Sequence, residues 1–559
     1  MTNARTGLAS QNGADATQQI PQTGVSPRVA HIISVSGAQA VAILEQSAAA
    51  PAMRVEIGAT MTIPTPRATV IGLVSAVSVP LPDATAGRED ISLIELNLAG
   101  EIVTDQDSSR LVFRRGVSSL PSIGDAVQLA DRQALELAYC QSDSATIDIG
   151  TLFQNAAVPA RLLVDDLFGK HFLIVGTTGC GKSSALTCIL RALLPEFKQA
   201  RVVILDIHNE YSAAFGEQAE TIDPSSLNLP FWLLNFQELT AAFVSMDEHR
   251  EAEIEILRDA VLWAKRRYSD SITGRMRRSI EGQCITVDTP VPFRLADLIA
   301  YIDEQLGKLE RTLKTLPHKR LRSRVETLVS DARYGFMFGS LMIEDTMTDV
   351  LGRLFRVPVG GRPFTVLNLS TVPGEILDVV ISVVSRLAFD LASWSDARLP
   401  ILIVCEEAHR YAPADAGKKF MPTRQALSRI AKEGRKYGVS LALITQRPSE
   451  LDPTILSQCS TVIAMRLSTE RDQSVVRANT HEGALDLLDF LPLLGDREAI
   501  VLGQGVVIPM RMRFRDLKNH KIAENQHAAF SRAWRHSEIN TEILAEIVRR
   551  WRSPGKSKI

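Results

Sequence analysis

The densest chemical signal in the sequence is the run Gly176-Thr177-Thr178-Gly179-Cys180-Gly181-Lys182-Ser183, followed by Ser184. Its spacing is GxxxxGK[ST]. It follows the apolar run HFLIVG and opens the helix-like run SSALTCILRALL, the strand-then-helix context that this motif requires. Glycines let the backbone curl around a phosphate, so that peptide N–H groups and a helix N-terminus face the negative charge. Lys182 would then reach the β- and γ-phosphates, and the Ser183 hydroxyl would ligate Mg²⁺. The implied ligands are a nucleoside triphosphate such as ATP and a magnesium ion.

Hydrolysis needs acids beside that loop. The run Ile401-Leu402-Ile403-Val404-Cys405-Glu406-Glu407-Ala408-His409 ends an apolar strand on two of them. In the expected arrangement Glu406 stands near Mg²⁺ and Glu407 polarises the attacking water. A register one residue earlier, with Cys405 near the metal and Glu406 as base, is the alternative. Asp206, His208 and Glu210 follow another strand-like run, at the carboxyl end where such sheets face their ligands. They are expected either to serve the site or to cap their loop. Gln446, after VSLALIT, is placed to sense the γ-phosphate. A cation is also needed for the charge developing on the transferred phosphoryl group. Arg429, Arg435 and Arg447 are candidates, with Lys170 a further one.

These residues need a scaffold that brings strand ends together. HFLIVG, RVVILDI, FTVLNLS, ILIVCEE, VSLALITQ, TVIAMRL and AIVLG are continuous apolar runs separated by helical patterns. Such alternation predicts an α/β fold with a mostly parallel sheet, here over residues 151–515. A helical insert is expected over about 238–347, where Ile254, Leu257, Val261, Ala264 and Tyr268 step along one face. Upstream, HIISVSG, MRVEIGATMTI, ATVIGLVSAVSV, ISLIELNLAGEIV and SIGDAVQLA read as short strands of a small β-barrel over 29–150. Residues 1–28 read as a disordered lead-in, and 516–559 as a helical tail.

Bulk composition narrows the remaining classes. The 559 residues are 45% hydrophobic and 23% charged, which excludes wholesale disorder. No apolar run reaches the length of a membrane span, and the six scattered cysteines form no CxxC pair. A reducing cytoplasm is the expected compartment, with no membrane partner. Lys and Arg total 62 against 64 Asp and Glu, a net charge of −2, so any nucleic-acid contact must be local. The insert concentrates cations at Arg266, Arg267, Arg275, Arg277 and Arg278, then at Lys314, Lys319, Arg320, Arg322 and Arg324. They could meet DNA phosphates or form a partner surface.

In order, GTTGCGKSS, DIHNEYS, CEEAH, RIAKEGRKYGVSLALITQRPSELDPTILSQCSTVIAMRL and FLPLLGDREAIVLGQGVVIP resemble HerA-type ATPases, of the HerA/FtsK branch of RecA-like P-loop motors. LVFRRGVSSLPSIGDAV resembles part of that family's HAS barrel. The resemblance implies a RecA-like core with an N-terminal HAS-like barrel, and a homohexamer that hydrolyses ATP at subunit interfaces while drawing double-stranded DNA through its channel. It assigns ATP and Mg²⁺ to Lys182 and Ser183, catalysis to Glu407, sensing to Gln446 and an interface arginine to Arg435. Glu406 departs from the Asp more common at its position. The implied partner is an effector, such as a NurA-like nuclease or a sirtuin-like or nuclease protein of anti-phage defence. A motor acting on protein, as in secretion and conjugation, and an ATP-regulated scaffold for an effector are the competing expectations.

Overall fold

The N-terminal strands close into a ring around a shared apolar interior. In the computed structural model these are β1 (Arg28–Ser36), β2 (Gln39–Leu44), β3 (Thr60–Pro64), β4 (Thr69–Ser78), β5 (Leu93–Thr104), β6 (Leu111–Arg115) and β7 (Ala126–Leu129). The structure describes residues 28–45, 55–79, 92–105, 109–140, 144–223, 226, 229–245, 248–271, 285–309, 315–339, 343–415, 421–480, 482–517 and 541–552. The antiparallel order β2-β1-β7-β3-β4-β5 closes through β2–β5 pairing, and β6 extends from β5. Val29, Ile32, Met61, Ile63, Val70, Ile94, Leu96 and Val127 fill the interior. The expected barrel is therefore present. Two of its strands, β2 and β6, are short runs that the hydrophobic pattern alone does not separate from loops. The proposed lead-in lies outside the described residues, apart from Arg28, which begins β1.

The second unit begins at Ser142, so the boundary expected after residue 150 is corrected by nine residues. The physical reason is a hairpin. β8 (Thr146–Leu152) and β9 (Pro159–Leu163) pair with each other, and β8 pairs with a strand from the far end of the core. The other core strands are β10 (His171–Val175), β11 (Val202–Asp206), β12 (Ala219–Ile222), β13 (Phe364–Asn368), β14 (Ile401–Cys405), β15 (Val439–Thr445), β16 (Cys459–Ala464), β17 (Glu498–Gly503) and β18 (Met510–Phe514). Their order is β12-β13-β11-β14-β15-β10-β16-β17-β18-β8-β9. Pairing is parallel from β12 through β16 and antiparallel from there on. β10, β11, β13, β14 and β15 are buried at every residue, as parallel central strands require.

The insert forms helices Phe236–Phe243, Arg250–Ser271, Leu295–Leu309 and Leu316–Ser330. Leu257, Val261, Ala264 and Tyr268 are buried along one face of the second helix, as their spacing predicts. Beyond residue 517, the described part of the tail is the helix Thr541–Arg552.

One buried histidine ties the centre of the sheet to its covering helix. His171, at the start of β10, accepts from the Leu441 N–H at Nδ1 (3.0 Å), which leaves Nε2 to donate to the Ala431 carbonyl (3.0 Å). The first contact reaches β15, and the second reaches the helix Met421–Tyr437. Burial holds this imidazole below its ordinary range, against the opposing effect of the Ala431 bond. Its proton is bound more readily in the unfolded chain, so the stability it confers is full above about pH 6.5 and declines as pH falls below that. Urea denaturation from pH 7 to pH 5 should accordingly show a flatter stability profile for His171→Gln, whose amide can make both bonds without titrating, than for the wild-type chain.

Candidate active site

The phosphate loop leaves the sheet at its most enclosed point. β10 lies between β15 and β16, with Val175 beside Thr445 on one flank and Ala464 on the other. Gly179 (φ +80°) and Gly181 (φ +105°) take left-handed backbone that permits the curl. At Gly176 a Cβ would lie 2.5 Å from Cys180 Sγ and 2.9 Å from Met465 Cβ, so no side chain fits there. The helix Lys182–Leu193 starts from Gly181 with no side chain capping its first turn. Its initial N–H groups thus remain available to an anion. Lys182 Nζ donates to the Thr177 carbonyl at 3.2 Å, holding the ammonium over the loop.

One wall of the loop is built from acids. Ser183 Oγ donates to Glu210, and Thr178 Oγ1 donates to the side-chain amide oxygen (Oε1) of Gln446. Asp206 is fully buried and accepts from the backbone N–H groups of His208 (3.2 Å), Glu210 (3.1 Å) and Tyr211 (3.0 Å). Asp206 is therefore the anchor of its turn, and Glu210 is the member of that run which reaches the phosphate-loop serine. Tyr211, fully buried, packs among these acids.

Glu406 and Glu407 face different neighbours. Burial, reinforced by Asp206, Glu210 and Glu407, pushes the Glu406 carboxyl up to about 10, and its Oε2 has no hydrogen-bond partner. Glu407 sits in left-handed backbone (φ +46°) and accepts from the Gln446 N–H at 3.4 Å. His409 Nδ1 is 3.3 Å from the Glu407 carboxylate and 2.9 Å from Thr445 Oγ1. Burial lowers the His409 pKa against the pull of Glu407. Sequence reasoning assigns no role to His409. Its signal was its place two residues after Glu407 in CEEAH. Cys405, the metal-side residue of the alternative register, is fully buried in β14, its thiol pushed up to about 12 by burial.

The donor set fits magnesium. Glu406 presents an orphaned buried oxygen close to the Ser183–Glu210 pair. Among the described residues no three His, Cys, Asp or Glu side chains form a complete metal cage. Magnesium with a nucleotide does not need one, because phosphates and waters supply most of its ligands.

The arginines separate clearly. Arg429 stacks 4.1 Å from the Phe389 ring and pairs with Asp390, a helix-to-helix contact. Arg447 pairs with Glu450 at 2.8 Å on the exposed edge of the site. Lys170, just before β10, is engaged by Asp166 and Gln504 at the same end of the sheet from which the Arg435 helix leads into β15. Arg435 is exposed near the end of the helix Met421–Tyr437, just before β15 begins. Gln446 follows the other end of that strand. A seven-residue strand spans about 20 Å, so Arg435 is a strand's length from its own chain's phosphate loop.

Of the insert's cations, Arg275, Arg277, Arg278 and Lys314 lie outside the described residues. Arg267 pairs with Asp297, Arg322 with Asp303 and Glu326, and Arg324 with Glu375. No helix among the described residues is long and apolar enough to cross a membrane.

Residues 147–388 match the family model described as helicase HerA, central domain. The DNA double-strand break repair helicase HerA of Pyrococcus furiosus is 26% identical over 416 residues, covering 71% of this chain and 73% of that one. The helicase of the same name from Sulfolobus acidocaldarius is 28% identical over 397 residues, covering 70% and 72%. Among solved structures, VirB4 of Thermoanaerobacter pseudethanolicus aligns with a TM-score of 0.46 at 17% identity, covering 67% of this chain and 98% of that one.

Glu407 adds a fourth carboxylate to a crowded corner and holds a backbone conformation that costs a side-chain-bearing residue roughly 1–2 kcal/mol. Glu407→Gly should thus stabilise the nucleotide-free chain by roughly 1 kcal/mol in urea denaturation at pH 7. A loss of stability would mean that the contacts to Gln446 and His409 hold the turn together.

Proposed function

We propose that this HerA-type P-loop ATPase is a motor that hydrolyses ATP to move on double-stranded DNA, working as a homohexameric ring beside a partner nuclease or defence effector. The observation that carries the reading is the division of the site. A phosphate loop, a metal-side carboxylate and a second carboxylate converge in one chain, while Arg435 lies a strand's length away, at the start of β15. Such an arrangement is completed by a neighbouring copy. The HerA relatives, named as DNA repair helicases, support duplex DNA as the track.

In this mechanism the loop N–H groups and Lys182 bind the phosphates. Ser183 and Glu406, with Glu210 close by, would hold Mg²⁺, which when bound would offset the phosphate charge. Glu407 accepts the proton of the attacking water, and His409 together with the Gln446 N–H fixes its carboxylate. Gln446, in contact with Thr178, registers the presence of the γ-phosphate. Arg435 of the next subunit stabilises the transferring group. Three of the insert's described cations, Arg267, Arg322 and Arg324, are paired with acids, which supports a partner or interface surface for the insert over a DNA contact.

Three variants test the assignments. Lys182→Ala should abolish nucleotide binding. Glu407→Gln should keep it while turnover falls about 10²- to 10⁴-fold. Arg435→Ala should bind nucleotide but hydrolyse poorly, and mixing it with Glu407→Gln should restore part of the activity, because one subunit then supplies the carboxylate and the next the arginine. Near-normal turnover of Glu407→Gln would refute its role as base. For the track, linear duplex DNA should stimulate ATPase activity at low salt, with the effect fading across a salt series. No stimulation at any salt would contradict a DNA motor and leave the scaffold reading.

A further inference from the structure

The phosphate loop has a second wall, on the side away from the carboxylates. It consists of the segment after β16 and the turn into β17. The Thr177 N–H donates to the Arg466 carbonyl at 2.8 Å, and the Arg497 N–H donates to the Cys180 carbonyl at 3.3 Å. On its other side, the Arg497 carbonyl accepts from the Phe514 N–H at 2.9 Å. Arg497 is thus pinned between the phosphate loop and the end of β18.

Its backbone is left-handed (φ +65°), a conformation that glycine adopts without strain and arginine does not. A side chain at this position is bought at a local cost, which is where functional side chains tend to be found. Arg497 Cγ is 3.7 Å from the place a Gly181 Cβ would occupy, so its stem runs beside the start of the phosphate-loop helix. The guanidinium pairs with Asp516 at 2.9 Å, and both side chains are partly exposed.

The geometry divides the nucleotide between the two walls. Glu407 and Gln446 stand on the β14–β15 flank of β10, which fixes the γ-phosphate end there. The β16–β17 flank is left for the α-phosphate and ribose. We propose that Arg497 is a nucleotide-binding residue of the same chain, its guanidinium turning from Asp516 to the α-phosphate and ribose end of the bound nucleotide. This rests on the ATP-site reading above. The contact is common to ATP, ADP and the transition state, so it acts on affinity and not on turnover. That separates Arg497 from Arg435, whose contribution is to the reacting group.

The test uses the full chain with Arg497→Gly, Arg497→Lys and Asp516→Asn. Mg-ADP binding is measured by calorimetry, ATPase kinetics at saturating and limiting ATP, and melting without nucleotide. Arg497→Gly should raise the ADP Kd and the ATP KM together, by roughly tenfold or more, with kcat within about twofold. Its nucleotide-free melting temperature should be unchanged or higher, because glycine relaxes the left-handed backbone. Arg497→Lys should recover part of the affinity, and Asp516→Asn should leave affinity intact or tighter. A lower melting temperature for Arg497→Gly with ADP affinity unchanged would make Arg497 a structural latch and overturn the proposal, as would a fall in kcat alone. If the wild-type chain itself bound no Mg-ADP, as expected only of Lys182→Ala, the ATP-site reading would fail and this one with it.

Discussion

Four carboxyl groups meet at one corner of the sheet, and that crowding constrains everything around it. Asp206, Glu210, Glu406 and Glu407 stand at the ends of β11 and β14, and burial with mutual repulsion drives Glu406 toward its neutral form. Like charges at close range in a poorly solvated site cannot all ionise without a compensating cation. The corner is therefore matched to a ligand that brings positive charge, as a magnesium nucleotide does. Asp206 illustrates how the protein spends its acids: three backbone N–H groups occupy its carboxylate and fix the turn that delivers Glu210 to Ser183.

Rigid apolar strands make this crowding tolerable. β10, β11, β14 and β15 are buried along their whole length, so the side chains at their ends cannot retreat from one another. The turns beyond them carry the conformational cost. Asn209, Glu407 and Arg497, each just after or just before a strand at this edge, have left-handed backbone, as do Gly179 and Gly181. Glycine relieves the strain at two of these positions, and side-chain-bearing residues carry it at the other three. His171 works at the other end of β10, linking it to β15 and to the helix that presents Arg435.

Much of this was legible in the sequence, because continuous apolar runs and a phosphate-loop spacing are local patterns. All seven core runs became strands, and Glu406 and Glu407 follow directly on the end of β14. What the sequence hid was non-local. The β8–β9 hairpin looks like the end of the barrel, and only its pairing with β18 assigns it to the core. His409 and Arg497 carry no motif of their own, and their relevance comes from strands far apart in the chain. The role of Asp206 depended on which backbone groups its carboxylate would meet, which residue type cannot tell. Among the arginines, residue type alone left three candidates and only the family resemblance favoured Arg435; packing against Phe389 and Asp390 now sets Arg429 apart from it.

The central claim is that one chain holds an incomplete active site, with the phosphate loop and acids in place and the arginine supplied by a neighbour. Specific ATPase activity measured over a dilution series, with native mass at each concentration, tests it most directly. Turnover per chain should be negligible where the chain is monomeric and should rise in parallel with a six-chain species. A monomer that hydrolyses ATP at a rate independent of concentration would contradict the account.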